Sequence, residues 1–208
     1  NEFDGCCYYV DLHDDGTILE ANRAYDSFAA FQCGSGRRYE AYANIAVNCE
    51  QFFMINNATS VDTNDYRVAN NLFVAAARGT FDHGETANVH QYHMPAYQVG
   101  TASNLVGIHA TNNVFINHPE NTEEVPLLLG SSANWSAGKV SARNNLFVGY
   151  GAALVKADFG SVDKTASAQS LSANTTLGLT DGYRLSAQSG LIGAGVDINR
   201  TGTLDAAG

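Results

Sequence analysis

Short runs of alternating hydrophobic and polar residues recur along this chain, and each ends on an asparagine that opens a second, mostly apolar run. The phrases are Glu20-Ala21-Asn22-Arg23-Ala24-Tyr25, Tyr42-Ala43-Asn44-Ile45-Ala46-Val47, Asn70-Asn71-Leu72-Phe73-Val74, Asn112-Asn113-Val114-Phe115-Ile116, Asn144-Asn145-Leu146-Phe147-Val148 and Ala173-Asn174-Thr175-Thr176-Leu177. Five, three and one residues before the asparagine stand Thr17, Leu19 and Ala21; Tyr39, Ala41 and Ala43; Tyr66, Val68 and Asn70; Ile108, Ala110 and Asn112; Val140, Ala142 and Asn144; Gln169, Leu171 and Ala173. That set is mostly apolar or small, whereas the positions four and two before it (Ile18 and Glu20, Glu40 and Tyr42, Arg67 and Ala69, His109 and Thr111, Ser141 and Arg143, Ser170 and Ser172) are mostly polar. A two-residue rhythm predicts strands with one buried and one wet face, the first set pointing inward.

One-sided strands that return with a fixed phrase predict a solenoid whose successive turns lie about 4.8 Å apart and share backbone hydrogen bonds. The asparagines then stack, because a carboxamide both donates and accepts and because asparagine tolerates the left-handed backbone of a corner. Phe73, Phe115 and Phe147 follow at one offset and predict a stacked core ladder. The intervals between asparagines are 22, 27, 42, 32 and 29 residues, so the shortest fits a bare turn and the longer ones carry loops. Residues 75–106, inside the longest interval, read as a loop insertion or a degenerate further turn.

Composition agrees with one all-β domain over residues 1–208: hydrophobic residues make up 45% and charged residues only 15%, with three prolines. The net charge of -10 argues against a nucleic-acid surface and fits solubility or cation binding. No segment reads as a membrane span. Cys6, Cys7, Cys33 and Cys49 lack zinc-site spacing. Two outcomes stay open for them, a bridge with Cys7 to Cys33 as the first expectation, or buried free thiols. Sequons at Asn57, Asn134, Asn174 and Asn199 point to an extracellular or cell-surface location. The chain opens already inside a predicted turn, with no polar cap, so a preceding segment or a second chain is expected to cover that end.

Tyr9-Val10-Asp11-Leu12-His13-Asp14-Asp15-Gly16-Thr17 and the Asn22 phrase, followed by Gly34-Ser35-Gly36-Arg37-Arg38 and the Asn44 phrase, carry a resemblance. They are similar to the Asp-Asp-Gly and Gly-Arg turns of secreted right-handed parallel β-helix proteins, the pectate-lyase-like superfamily of polysaccharide lyases and glycoside hydrolases. The tail from Asp181 to Gly195 resembles the closing strand of that superfamily, with Gly190 where proline is commoner. The resemblance implies a right-handed parallel β-helix with loop insertions, of which this chain is the C-terminal part. It does not choose a chemistry, since the scaffold carries lyases, hydrolases, epimerases, tailspikes and adhesins.

If Val10 and Leu12 point inward, Asp11 and His13 project outward with Asp14 and Asp15 at the next turn. Such a cluster suits a general acid and base for cleaving a glycosidic bond, with Asp14 and Asp15 as candidate Ca²⁺ ligands; Asp-Asp-Gly is also sound turn chemistry by itself. Arg37, Arg38 and Glu40 occupy the corresponding place one turn on, where a guanidinium would neutralise a sugar carboxylate. His90 and His93, in the longest interval, and Trp135, in a loop-like run, are further candidates for contact with a sugar, although loop histidines are often plain surface. The favoured expectation is an extracellular protein that cleaves an acidic polysaccharide by β-elimination or hydrolysis. Its rival is a non-catalytic adhesin, spike segment or filament subunit, supported by the missing cap, the scarcity of lysine and the turn reading of Asp-Asp-Gly.

Overall fold

The structure is a computed structural model and describes residues 6–10, 14–33, 36–55, 64–77, 80–81, 97–99, 106–121, 127–129, 140–149, 155–157, 161–163, 179, 183, 185–195 and 197–198. Among these the regular structure is all β. No helix there is long and apolar enough to cross a membrane.

The strands in chain order are β1 (Cys6–Val10), β2 (Asp14–Asp15), β3 (Ile18–Glu20), β4 (Arg23–Cys33), β5 (Gly36–Tyr42), β6 (Ile45–Ile55), β7 (Asn64–Ala69) and β8 (Leu72–Ala75). They continue as β9 (Tyr97–Val99), β10 (Val106–Thr111), β11 (Val114–Ile116), β12 (Leu127–Leu129), β13 (Val140–Arg143), β14 (Leu146–Val148), β15 (Val155–Ala157) and β16 (Ser161–Asp163). A ten-stranded sheet has the order β14-β11-β8-β6-β9-β12-β15-β16, with β4 joining β1 to β6. A six-stranded sheet runs β13-β10-β7-β5, with β2 and β3 both on β5. Strand neighbours are parallel throughout except β15 and β16, whose antiparallel pairing ends the series.

Each asparagine phrase crosses from the second sheet to the first. Asn22 lies between β3 and β4, Asn44 between β5 and β6, Asn71 between β7 and β8, Asn113 between β10 and β11, and Asn145 between β13 and β14. Like residues pair in register on both sides of this corner. Ala41, Val68, Ala110 and Ala142 form one row, and Phe73, Phe115 and Phe147 another.

The corner is held by amides. Asn44 Oδ1 accepts from the backbone N–H and Nδ2 of Asn22 at 2.9 and 3.1 Å, and the same two bonds recur from Asn44 to Asn71, Asn71 to Asn113 and Asn113 to Asn145. The second Nδ2 hydrogen of Asn44, Asn71, Asn113 and Asn145 goes to the carbonyl of Leu19, Ala41, Val68 and Ala110 respectively. The column thus gives the backbone N–H groups of Asn22, Asn44, Asn71 and Asn113 and the carbonyls of Leu19, Ala41, Val68 and Ala110 a hydrogen-bond partner within the corner. Asn174, the sixth expected member, lies outside the described residues.

The inward rhythm holds five and three residues before the asparagine, where Tyr39, Ala41, Tyr66, Val68 and Ala110 are all buried. It fails one residue before. Ala21, Ala43, Asn70, Asn112 and Asn144 adopt φ of 52–57°, and Ala21, Ala43 and Asn70 are exposed. The chain has left the strand there, and the left-handed residue turns the next asparagine into the interior. The polar rhythm fails in turn at Tyr42, Ala69 and Thr111, which are buried. The C-terminal segment lies against this corner, Asn144 Nδ2 donating to the Ala194 carbonyl at 3.0 Å.

Two further columns of left-handed residues mark other bends: Gly16, Arg38 and Asp65, and Asp26 with Asn48. In the second of these Asn48 Nδ2 donates to Asp26 Oδ1 at 2.6 Å, and there the long strands β4 and β6 change direction.

The core is aromatic. Phe52 meets Phe31, Phe53, Phe73 and Phe115 with ring centroids 5.5–6.3 Å apart, while Phe115 stacks on Phe147 at 5.4 Å and Tyr39 on Tyr66 at 4.9 Å. Ala24 and Ala46 take the phenylalanine row's place in the earlier strands, leaving room for Phe31, Phe52 and Phe53.

The expected Cys7–Cys33 bridge is absent. Cys33 pairs across from Val10, three residues beyond Cys7, and three residues of strand span about 10 Å, beyond disulfide reach. Cys6, Cys7 and Cys49 are free thiols, and burial pushes the Cys49 thiol up to about 12. In the 42-residue interval β7 pairs directly with β10 and β8 with β11, so no further layer separates them; β9 from that interval joins β6 in the first sheet.

Candidate functional site

Asp15 and Arg38 come together on the outer side of the second sheet. In β2, Asp14 pairs with Gly36 and Asp15 with Arg37, and past this pair Gly16 and Arg38 both take left-handed backbone. That turn swings the Arg38 guanidinium back over Asp15, Nε donating to Oδ1 and Nη2 to Oδ2, each at 2.7 Å. A bidentate fork of this kind fixes both groups. The hydrogen bonds from Arg38 hold the Asp15 carboxyl below the usual aspartate range, and those to Asp15 raise Arg38 further. Left-handed backbone in an arginine carries strain, but Gly16 and Asp65 share it at the same phase, so it belongs to the corner and not to a reaction.

The next strands extend the charged strip. Asp65 Oδ1 accepts from Arg67 Nε at 3.1 Å. Glu40 pairs across from Ile18 on one side and Arg67 on the other, and Arg67 pairs in turn with His109. Arg37 and Arg38 are exposed, while Glu40, Asp65, Arg67 and His109 are half-buried. The strip therefore alternates in sign across adjacent strands, and three of the chain's eleven Lys and Arg residues lie on it.

The candidates Asp14, Asp15, Arg37, Arg38 and Glu40 are thus brought to adjacent strands β2 and β5. Asp11, His13, His90, His93 and Trp135 lie outside the described residues. Arg67 and His109 were not singled out from the sequence, yet each stands four residues before its asparagine, as Glu40 does. Repeat phase was the signal that would have found them. Among the described residues no three His, Cys, Asp or Glu side chains converge as a metal site. Both oxygens of Asp15, one of the two expected calcium ligands, are engaged by Arg38.

A lowered carboxyl pKa makes Asp15 an anion at neutral pH, so of the acid and base roles only that of base is open to it. The ion pair's contribution is present above the unfolded-state value and is lost as pH falls through the lower folded-state value. Carbon-detected NMR titration of Asp15 should show a midpoint below the ordinary aspartate value in the parent chain and a return toward it in Arg38→Gln. An unchanged midpoint would show that the fork does not persist in solution. Compared with known proteins, the chain matches no family model, no curated protein and no solved structure.

Proposed function

We propose that the chain is a right-handed parallel β-helix of an extracellular carbohydrate-active protein, which engages an acidic polysaccharide along the outer face of the second sheet and cleaves it by β-elimination or hydrolysis. The asparagine column and the in-register rows support the β-helix reading, and the strip from Asp15 and Arg37 to Arg67 and His109 supports the polysaccharide. Parallel strands repeat about every 4.8 Å, comparable to the rise of one sugar along an extended glycan, so successive strands offer successive sugars a charged group each. A guanidinium such as that of Arg37 neutralises a uronide carboxylate, which acidifies the C5 proton for removal by a base. In hydrolysis the same strip binds the chain while a protonated group, which Asp15 is not, serves the leaving oxygen.

The non-catalytic reading has one observation in its favour: Arg38 and Asp15 satisfy each other, as a structural pair does. A panel of uronic-acid and neutral polysaccharides separates the two. Ultraviolet absorbance of unsaturated ends reports elimination and reducing sugar reports hydrolysis, with and without EDTA. Activity that falls about a hundredfold or more in Asp14→Asn/Asp15→Asn, with the circular dichroism spectrum intact, supports cleavage. Silence across the panel together with defined multimers favours an adhesin, spike segment or filament subunit.

A further inference from the structure

A concavity lies at the asparagine corner, lined by none of the residues of the charged strip. It is a cleft of about 360 Å³ between the corner and Leu179, Tyr183, Leu185, Leu191, Ala194 and Gly195. One wall is Ile45, Leu72 and Val114, which occupy matching positions on β6, β8 and β11; the other is Leu179, Leu185 and Leu191. Asn70, Asn112 and Asn144 line it along the column of left-handed residues, and Tyr183 adds a phenol. No charged side chain lines it among the described residues.

The three outer asparagines are not needed for the left-handed turn. Ala21 and Ala43 hold the same backbone, with φ of 55° and 53°, at the same phase. Ala43 lines the same cleft, and Asn70, Asn112 and Asn144 place a carboxamide there where alanine would serve the turn. Asn144 Nδ2 bridges Asn112 Oδ1 at 2.7 Å and the Ala194 carbonyl at 3.0 Å, which pins the far wall of the cleft. A Cβ at Gly195 would approach Asn112 Nδ2 to 3.2 Å, so the glycine permits that close seating. Asn70 has Ala43 as its neighbour on the other side, and its exposed carboxamide stands at the open end of the row.

We infer that this cleft binds a neutral ring bearing hydroxyl groups, of the class of a single pyranose unit. Aliphatic walls accept the C–H face of such a ring, and a carboxamide donates and accepts as a hydroxyl does. The described lining offers a uronate, a phosphate or an amino sugar no charged partner to offset its desolvation. The site therefore differs in character from the charged strip, and it stands independently of that strip.

Titration of the full chain with glucose, galactose, mannose and rhamnose, followed by amide chemical shifts, tests the inference. Glucuronate, glucosamine and cyclohexanol serve as comparison probes. Saturable shifts confined to Leu72, Val114, Asn70 and residues 185–195 are expected with at least one neutral sugar. Asn70→Ala, which the alanines at the same phase show to be compatible with the backbone, should weaken that sugar about tenfold, the equivalent of one lost hydrogen bond. Leu191→Trp, which fills the cleft, should abolish binding while the remaining amide spectrum is kept. The inference is overturned if no neutral sugar saturates, if glucuronate, glucosamine or cyclohexanol binds as tightly, or if Asn70→Ala binds like the parent.

Discussion

Replacing Asn113 with alanine is expected to lower the unfolding free energy by about 4 kcal/mol, because it orphans several buried groups at once. Its Oδ1 accepts from the backbone N–H and Nδ2 of Asn71 at 3.1 and 2.9 Å, and its Nδ2 donates to the Val68 carbonyl and to Asn145 Oδ1. Asn113 and both neighbours in the column are almost wholly buried, so water cannot replace what is lost. Asn22 is the control. It stands half-buried at the head of the column and, among the described residues, its amide donates to Asn44, so Asn22→Ala should cost about 1 kcal/mol. Urea denaturation of both variants measures the difference, and equal losses would mean that the column follows the fold without stabilising it.

Phe52→Ala should be comparably severe, at about 3–5 kcal/mol. Its ring is fully buried and touches phenylalanines from β4, β8 and β11 as well as its own strand, so its removal leaves a cavity that no single neighbour can fill. Phe147, half-buried and stacked on Phe115, should cost less when truncated, since more of its ring already meets solvent. The conservative Phe52→Leu change should recover most of the loss, since it retains much of the volume. A Phe52→Ala variant that stays within about 1 kcal/mol of the parent would show that the core collapses around the gap.

The legibility of the site was uneven for a definite reason. Asp15, Arg37 and Arg38 were visible as turn residues at equivalent places in the repeat, but the repeat does not say whether such groups face a ligand or each other. That depends on the φ of Arg38, which brings its fork onto Asp15 and leaves Arg37 beside it. Arg67 and His109 were hidden by the opposite circumstance. Each is a single polar residue in a strand, and only pairing between segments distant in sequence sets Arg67 beside Glu40 and His109 beside Arg67. The cysteines illustrate the same point, since a shift of three residues along the strand separates a plausible bridge from three free thiols.

What the amino-acid order determined by itself is whatever depends on period and phase: strands with a buried face, an asparagine column at their ends, and a phenylalanine row behind it. These are local rules repeated, and repetition makes them readable because each layer states them again. Tertiary structure alone decided the rest. It set the left-handed residue before each of the five described asparagines, the burial of Tyr42, Ala69 and Thr111, and the cleft beside the C-terminal segment. Those features arise where the chain stops obeying its two-residue rhythm or meets a segment more than a hundred residues away, as Asn70 and Leu191 do across the cleft. No local pattern encodes such a meeting; it follows from the stacking of the layers and from what is left to bury once they are stacked.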